Sequence, residues 1–301
     1  MQKRRTDLAV EARDLWTEAA GEAAKLEGVK SWDALREGYP VTTVEILDEN
    51  GAKTLEKPVG TYVTISLGGL RRREEDAFGR AARVIAKELG QLLPSEAGGP
   101  VLVAGLGNQA ITPDAIGPLV VSHILATRHL VKQMPEQFGA FRPVAAIAAG
   151  VLGTTGVESG EIIKGVAEKI KPSCILVADA LTARTADRIC STVQITNSGI
   201  TPGSGVGNSR RELNAQSMGV PVIAIGVPTV VEAGTLAADL VSRAGMELPN
   251  EGAFAKQTGG LLVTPKDIDA QAAELSKVIG YGINLALQKG LALEDITMLL
   301  E

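Results

Sequence analysis

The run VLVAGLGN at residues 101–108 decides the fold class. Its first part, Val101–Gly105, is short, continuous and apolar, which is typical of a strand that is covered on both faces. The glycines that follow predict a tight turn into a helix. Runs of the same kind recur along the chain, at Val144–Ala149, Cys174–Ala178, Thr192–Thr196 and Val220–Val227.

Segments with helical spacing of apolar residues separate these runs. They predict helices at about 113–132, 159–170, 181–189, 229–243 and 266–288. Strands that alternate with helices indicate an α/β fold with a mostly parallel, twisted sheet and helices on both faces. No internal repeat divides the chain, so we expect one domain over residues 1–301, with a mobile loop from Gly245 to Gly260.

The first hundred residues add a different pattern. Residues 6–20 have helical spacing, and a second helix is predicted at 72–92. Between them, the β-branched runs Val41–Leu47 and Gly60–Leu67 flank the turn signal DENG at 48–51. This arrangement predicts an N-terminal helix followed by a β-hairpin.

Composition narrows the class of protein. The net charge is −5, and the basic runs at 3–5 and 71–73 are not interleaved with aromatic residues. This pattern argues against direct nucleic-acid binding. Two cysteines, a charged N-terminus and the lack of an apolar run of about 20 residues predict a cytoplasmic protein without a membrane span.

Asp114 is the first candidate for chemistry, because ligands of open α/β sheets bind beyond the carboxyl ends of the strands. Thr112 is a plausible N-cap and Pro113 a first helical residue, which would put Asp114 in the first turn of a helix. An acidic residue there either complements the helix dipole or belongs to a site. The turn pattern alone leaves both interpretations open.

Asp179 is the second candidate, since it directly follows the apolar run Cys174–Ala178. It is either the N-cap of a following helix or a site residue. Asp114 and Asp179 follow two separate strands at one edge of the predicted sheet, so they can approach each other. Two neighbouring carboxyls suit water-mediated hydrolysis, because repulsion separates their pKa values and lets the pair hold one proton.

Two glycine-rich turns complete the predicted site. The segment at residues 201–208 could supply backbone N–H groups to an oxyanion or an extended edge to a peptide, or it could be a plain turn. The predicted substrate-binding residues are Gly105, Gly107, Asn108, Gly203, Ser204 and Gly205. Only two histidines occur, His123 and His129, and both are predicted well inside a helix, so no zinc ligand set is expected.

Sequence blocks in family order resemble the spore germination protease family. They are RTDLAVEA at 5–12, GLGN at 105–108, TPDAIGP at 112–118, TRHL at 127–130, DAL at 179–181, PGSGVGN at 202–208, the stretch 220–230 and LVTPK at 262–266. The blocks extend over most of the chain, and their order makes the resemblance specific.

The resemblance implies an aspartic endopeptidase that degrades small acid-soluble spore proteins during germination, in the spore core. It implies a phosphorylase/hydrolase-like fold similar to hydrogenase maturation peptidases, catalytic aspartates at Asp114 and Asp179, and no cofactor. It also implies a homotetramer made as a zymogen, in which residues 1–7 form a short propeptide cut between Asp7 and Leu8.

Two alternatives remain open at the level of sequence. One is a metal-dependent maturation peptidase of the hydrogenase type, which would need a histidine at a strand end. The other is a non-catalytic module that binds a nucleotide or peptide through its glycine-rich turns.

Overall fold

A computed structural model describes residues 6–21, 26–94, 99–204, 210–246, 258 and 260–300. Its centre is a nine-stranded sheet in the order β1-β2-β3-β7-β8-β6-β4-β5, with β9 paired to β8. The strands are β1 (Val29–Arg36), β2 (Tyr39–Ile46), β3 (Gly60–Ser66), β4 (Val101–Leu106), β5 (Val144–Gly150), β6 (Cys174–Ala183), β7 (Thr192–Thr196), β8 (Val222–Glu232) and β9 (Leu262–Val263). The strands β5, β4, β6 and β8 run parallel, and the flanking pairs are antiparallel.

Helices cover both faces of this sheet, which confirms the predicted α/β class. They are α1 (Ala9–Ala20), α2 (Glu49–Leu55), α3 (Gly68–Arg71), α4 (Ala77–Leu92), α5 (Ile116–Ser122), α6 (Arg128–Gln133), α7 (Pro135–Phe138), α8 (Leu152–Thr155), α9 (Ser159–Ile170), α10 (Ala215–Met218), α11 (Ala233–Arg243), α12 (Ile268–Leu287) and α13 (Leu293–Leu300). Along β4, Val101 and Val103 pack against the cluster that contains α4, α5 and α12, whereas Leu102 and Ala104 pack against α9. Side chains alternate across a strand, so its continuous apolar sequence serves two cores.

The strand order creates a crevice between β4 and β6. The chain leaves β4 toward β5 on one side and leaves β6 toward β7 on the other. Adjacent parallel strands whose connections diverge in this way form a topological switch point, where ligands of open α/β sheets bind. A binding site is therefore expected at the segments after β4 and in the second half of β6.

The predicted hairpin is present, with one correction. Strands β2 and β3 pair antiparallel from Val41↔Ile65 to Ile46↔Gly60. The turn signal does not make a tight turn, because Asp48 caps the short helix α2 by accepting from the N–H groups of Asn50 and Gly51. The edge strand β1 was not predicted, since its side chains are mostly exposed and carry no apolar periodicity.

The predicted helix at 113–132 is wrong, because the chain there forms a 3₁₀ turn (Thr112–Asp114) and the short helices α5 and α6. Helix α5 ends before His123, so this histidine is not inside a helix. The amide side chain of Asn284, on α12, accepts from the N–H of Leu125 and donates to the carbonyl of His123. These tertiary hydrogen bonds replace the helical ones that the sequence pattern suggested.

The predicted helix at 181–189 is also wrong. Strand β6 continues to Ala183, paired with Val231 of β8, and only a 3₁₀ turn at Ala186–Arg188 follows. Strand β8 likewise extends through Glu232, so α11 begins at Ala233 rather than at 229. Strand pairing over a long sequence separation overrides the local helical pattern here.

Most of the predicted mobile loop from Gly245 to Gly260 lies outside the described residues. Over the residues that the structure does describe, no helix combines the length and the apolar character needed to cross a membrane.

Candidate active site

Asp114 is held by the turn that follows β4. The N–H of Asn108 donates to Asp114 Oδ2 at 2.8 Å, and the Asn108 side chain accepts from the N–H of Ala110. Gly107 has φ +105°, and a Cβ on it would overlap the carbonyl oxygen of Asp114. Glycine is therefore required there, both for its backbone conformation and for the close approach of the aspartate's backbone.

Glycines also let the chain after Asp114 lie directly on the sheet. A Cβ on Gly105, in β4, would overlap the carbonyl of Gly117 in α5. A Cβ on Gly117 would in turn overlap backbone atoms of Leu106 and Ala178, which belong to β4 and β6. This packing fixes the start of α5, and with it Asp114, against the two strands of the crevice.

Asp179 lies inside β6, paired with Gly226 of β8, so the interpretation as a helix N-cap is wrong. The strand continues past it because β8 keeps pairing as far as Ala183. Only 6% of Asp179 is exposed to solvent, and the N–H of Ala180 donates to its Oδ1 at 2.9 Å. One backbone donor is a small compensation for burying a charged carboxylate.

The structure brings the two aspartates into one electrostatic environment. Burial raises the pKa of Asp179 well above its usual value, and the nearby charge of Asp114 raises it further. Burial also raises the pKa of Asp114, but the N–H of Asn108 opposes this by stabilising its charged form. The arrangement favours a proton on Asp179 and a charge on Asp114.

The N-terminal segment lies across the end of the same crevice. The N–H of Asp7 donates to the carbonyl of Thr182, and the N–H of Thr182 donates to Asp7 Oδ2. The Asp7 charge also contributes to the raised pKa of Asp179, three residues before Thr182 in β6. Leu8 is fully buried in a cluster with Leu181. The predicted propeptide cut, between Asp7 and Leu8, thus lies beside Asp179.

Asp7 lines a cavity of about 240 Å³, together with Lys57 and Gln194, which the sequence pattern did not identify. Lys57 Nζ donates to the carbonyl of Thr6 at 2.9 Å, and burial lowers its pKa. Gln194 accepts from the N–H of Ala9 and donates to the carbonyl of Asp7. A glutamine at the centre of the predicted strand Thr192–Thr196 was an available signal, because this strand is buried and polar groups in a buried strand need partners.

The predicted glycine-rich contacts divide into two groups. Gly105, Gly107 and Asn108 form the turn that holds Asp114, as described above. Ser204 Oγ donates to Asp7 Oδ1 at 3.0 Å, and Gly203 lies beside it in a turn with φ +71°. Gly205 lies outside the described residues. Within the described ranges, no three His, Cys, Asp or Glu side chains come together as a metal-binding group.

The amino-acid sequence is similar to those of known proteins. The family model described as "Germination protease" matches residues 9–247. The chain is 44% identical to a germination protease of Caldanaerobacter subterraneus subsp. tengcongensis and 42% identical to one of Clostridium perfringens (strain SM101 / Type A), in both cases over 98% of each chain. It is also 44% identical to a germination protease of Bacillus cytotoxicus, over 79% of this chain and 65% of the relative. The chain therefore belongs to the germination protease family of peptidases.

Proposed function

We propose that this protein is an aspartic endopeptidase in which Asp114 and Asp179 share one proton and act on a water molecule and a peptide bond. The observation that supports the proposal most directly is the burial of Asp179 close to the charge of Asp114, at the switch point of the sheet. Such a pair of carboxyls with separated pKa values is the usual basis for assigning an acid and a base.

The two aspartates take different roles in this mechanism. Ionised Asp114 removes a proton from water as the water oxygen attacks the carbonyl carbon of the peptide. Protonated Asp179 donates a hydrogen bond to the carbonyl oxygen, where negative charge develops. When the C–N bond breaks, the proton held by Asp114 passes to the amine nitrogen that leaves.

The proposed substrates are small acid-soluble spore proteins, in the spore core. An unstructured protein suits the crevice, because an extended backbone must reach both carboxyls. The net charge of −5 favours binding of the protein rather than of DNA. A homotetramer of single α/β domains is part of the proposal, on the strength of the family resemblance.

The N-terminal segment is proposed to be a propeptide that ends at Asp7. Its hydrogen bonds to Thr182, Ser204 and Gln194 hold it where a substrate chain would have to pass Asp179. A cut between Asp7 and Leu8 would release those bonds. The form that begins at Leu8 is then expected to cleave substrate faster than the full chain.

The test combines variants of both aspartates with a matched control. The full chain and the form beginning at Leu8 are incubated with a small acid-soluble spore protein, and the fragments are identified by mass spectrometry. We expect Asp114→Asn and Asp179→Asn each to lower the rate by roughly 1,000-fold or more, because each removes a group that acts on the reacting atoms. Asp33→Asn, at an exposed carboxyl on β1, should cleave like the wild type.

The activity should also depend on pH in a bell shape. The rate should fall at low pH as Asp114 takes up a proton, and fall again at high pH as Asp179 loses its own. Full cleavage by the double variant Asp114→Asn, Asp179→Asn would refute the mechanism. Activity that disappears with a metal chelator in the wild type would favour the metal-dependent alternative instead.

A further inference from the structure

Thr229 is a fully buried residue of β8 that the proposed mechanism does not use. Its hydroxyl donates to the carbonyl of Pro113 at 2.6 Å. Pro113 directly precedes Asp114 in the 3₁₀ turn Thr112–Asp114. Thr229 is thus joined by one hydrogen bond to the peptide that carries the proposed base.

An irregularity in the sheet points this hydroxyl toward the site. Leu181 of β6 pairs with Pro228, and the next residue, Thr182, pairs with Val230. Thr229 is the extra residue of a β-bulge at this place in β8. Bulges re-aim a side chain and are common next to active sites. Pro228 fits the interruption, since proline has no N–H to donate to a strand partner.

The same residue joins a third segment. The hydroxyl of Thr264, just after β9, donates to the carbonyl of Thr229 at 2.9 Å. The predicted N-cap, Thr112, is wrong, because the N-cap of the turn at Asp114 is Ile111, whose side chain makes no capping hydrogen bond. The hydroxyl of Thr229 gives this turn a support that its own first residues do not supply. Gly107 and Asn108 hold Asp114 from the β4 side, and Thr229 holds it from the β8 side.

We infer that Thr229 is a positioning residue, which sets the distance between Asp114 and Asp179 through the carbonyl of Pro113. Without the hydroxyl, the turn is free to move away from β6, and Asp114 loses its alignment with Asp179. The inference rests on the proposed aspartate mechanism. A displacement of about 1 Å in a catalytic group is enough to slow a reaction roughly 100-fold.

Two comparisons isolate the contribution of the hydroxyl. Wild type is compared with Thr229→Val, which lacks the hydroxyl and has nearly the same shape. Thr229→Ser, which keeps a hydroxyl, is compared with Thr229→Ala, which lacks it. We expect the kcat for cleavage of a small acid-soluble spore protein to fall roughly 10- to 100-fold in the Val and Ala variants, with KM within about twofold. The Ser variant should stay within about threefold of wild type, since it keeps the hydrogen bond.

The pH profile distinguishes positioning from a general loss of structure. If Asp114 moves away, its charge raises the pKa of Asp179 less, so the alkaline limb should move to lower pH in the Val and Ala variants and not in the Ser variant. Thr64→Val is the matched control. Thr64 is buried in β3, and its hydroxyl has no hydrogen-bond partner among the described residues. This control should keep the wild-type kcat and pH profile.

The outcomes separate this inference from the proposed function. If Asp114→Asn is inactive but Thr229→Val and Thr229→Ala match the wild type in kcat and pH profile, the positioning role is overturned alone. It is also overturned if Thr229→Ser is as slow as Thr229→Ala, because packing rather than the hydroxyl would then matter. If Asp114→Asn keeps full activity, the mechanism and the positioning role fail together. Thermal unfolding of each variant shows whether it is folded. Either comparison, wild type with Thr229→Val or Thr229→Ser with Thr229→Ala, is sufficient for the test if both of its members are folded.

Discussion

Asp179 and Glu11 are both buried carboxyls, and they differ in their hydrogen-bond donors. Glu11 accepts from the backbone N–H groups of Arg184 and Thr185 and from the hydroxyls of Thr185 and Thr6. Asp179 accepts from the N–H of Ala180, its own neighbour, and faces the charge of Asp114. The first environment suits a structural carboxylate, and the second suits a group that keeps its proton.

This contrast predicts that Asp179 lowers stability as the pH rises. Its pKa is raised by folding, so the folded state binds the proton more tightly than the unfolded state does. The resulting penalty is absent below the unfolded pKa of about 4 and grows as the pH rises toward the folded value. Asp179→Asn cannot ionise and escapes the penalty. Its Tm should exceed that of the wild type by about 2–4 °C at pH 7, with a smaller gap at pH 4.

Thermal unfolding between pH 4 and pH 9 measures this gap. Asp33→Asn should stay within about 1 °C of wild type over the same range, as expected for a surface substitution. A gap that closes or reverses as the pH rises would show that Asp179 is not held protonated by the fold. Stabilisation by replacement of a buried carboxyl in a candidate site is an expected consequence of the conflict between activity and stability.

At the scale of elements, the turn between β4 and α5 is constrained by close backbone contacts at Gly107. Gly107→Ala would place a side chain at φ +105° and against the carbonyl of Asp114. We expect a loss of about 1–3 kcal/mol in the free energy of unfolding, together with a loss of activity of at least roughly 100-fold. Urea unfolding and the cleavage assay measure the two effects.

Gly165→Ala is the matched control for this substitution. Gly165 lies in α9, where an added Cβ meets no atom within 4 Å. Alanine favours a helix over glycine by roughly 0.5–1 kcal/mol, so this variant should be slightly more stable and fully active. If Gly107→Ala were as active as Gly165→Ala, the close approach to Asp114 would not matter for catalysis.

The elements that the sequence predicted are those with a local signal. Apolar runs identified β4, β5 and β6, and helical spacing identified α9 and α12. The predicted helix at 181–189 was wrong because the partners of this segment lie far away in sequence: Val230 and Val231 pair with it in the sheet, and Asp7 accepts a hydrogen bond from Thr182. Thr229 could not be found, since a bulge depends on the register between β6 and β8, which the sequence does not contain.

In the candidate site, too, the residues with a local sequence signal were predicted and those that depend on distant contacts were not. The positions of Asp114 and Asp179 at neighbouring strands followed from apolar runs, strand order and resemblance. The contacts of Lys57 and Gln194 could not be predicted in this way. Both side chains donate to backbone carbonyls of the N-terminal segment, which lies about fifty residues before Lys57 and nearly two hundred before Gln194. Such contacts are a property of the folded chain rather than of a motif.

At the scale of the molecule, helix α1 is joined to the segment that follows β6. Helix α1 carries Glu11 and Glu18, which both reach the segment around Arg184. Glu11 is 2% exposed and binds backbone N–H groups, with Arg188 at 3.6 Å. The Glu18 side chain is 54% exposed, and it pairs with the buried Arg184 side chain, which also lies 3.8 Å from Asp239. A carboxylate that is half exposed loses little on removal of its charge, whereas a buried carboxylate with several donors is costly to disturb.

Two substitutions on α1 therefore should have unequal effects. Glu11→Gln replaces one acceptor oxygen by an NH₂ group that faces donors, and it should lower the free energy of unfolding by about 2–4 kcal/mol. Glu18→Gln keeps one acceptor oxygen for Arg184 and leaves Asp239 beside that guanidinium, so it should cost less, about 1 kcal/mol. Both residues follow Leu8, so the form that begins at Leu8 keeps them, and it loses only the hydroxyl of Thr6 among the donors to Glu11. Glu18→Gln should therefore cost the same in both forms, and most of the Glu11→Gln loss should persist in the form that begins at Leu8. Urea unfolding of all six proteins tests this. A Glu11→Gln effect that vanishes in the form beginning at Leu8 would mean that Glu11 serves to hold residues 6–7, through Thr6, rather than to join α1 to the sheet.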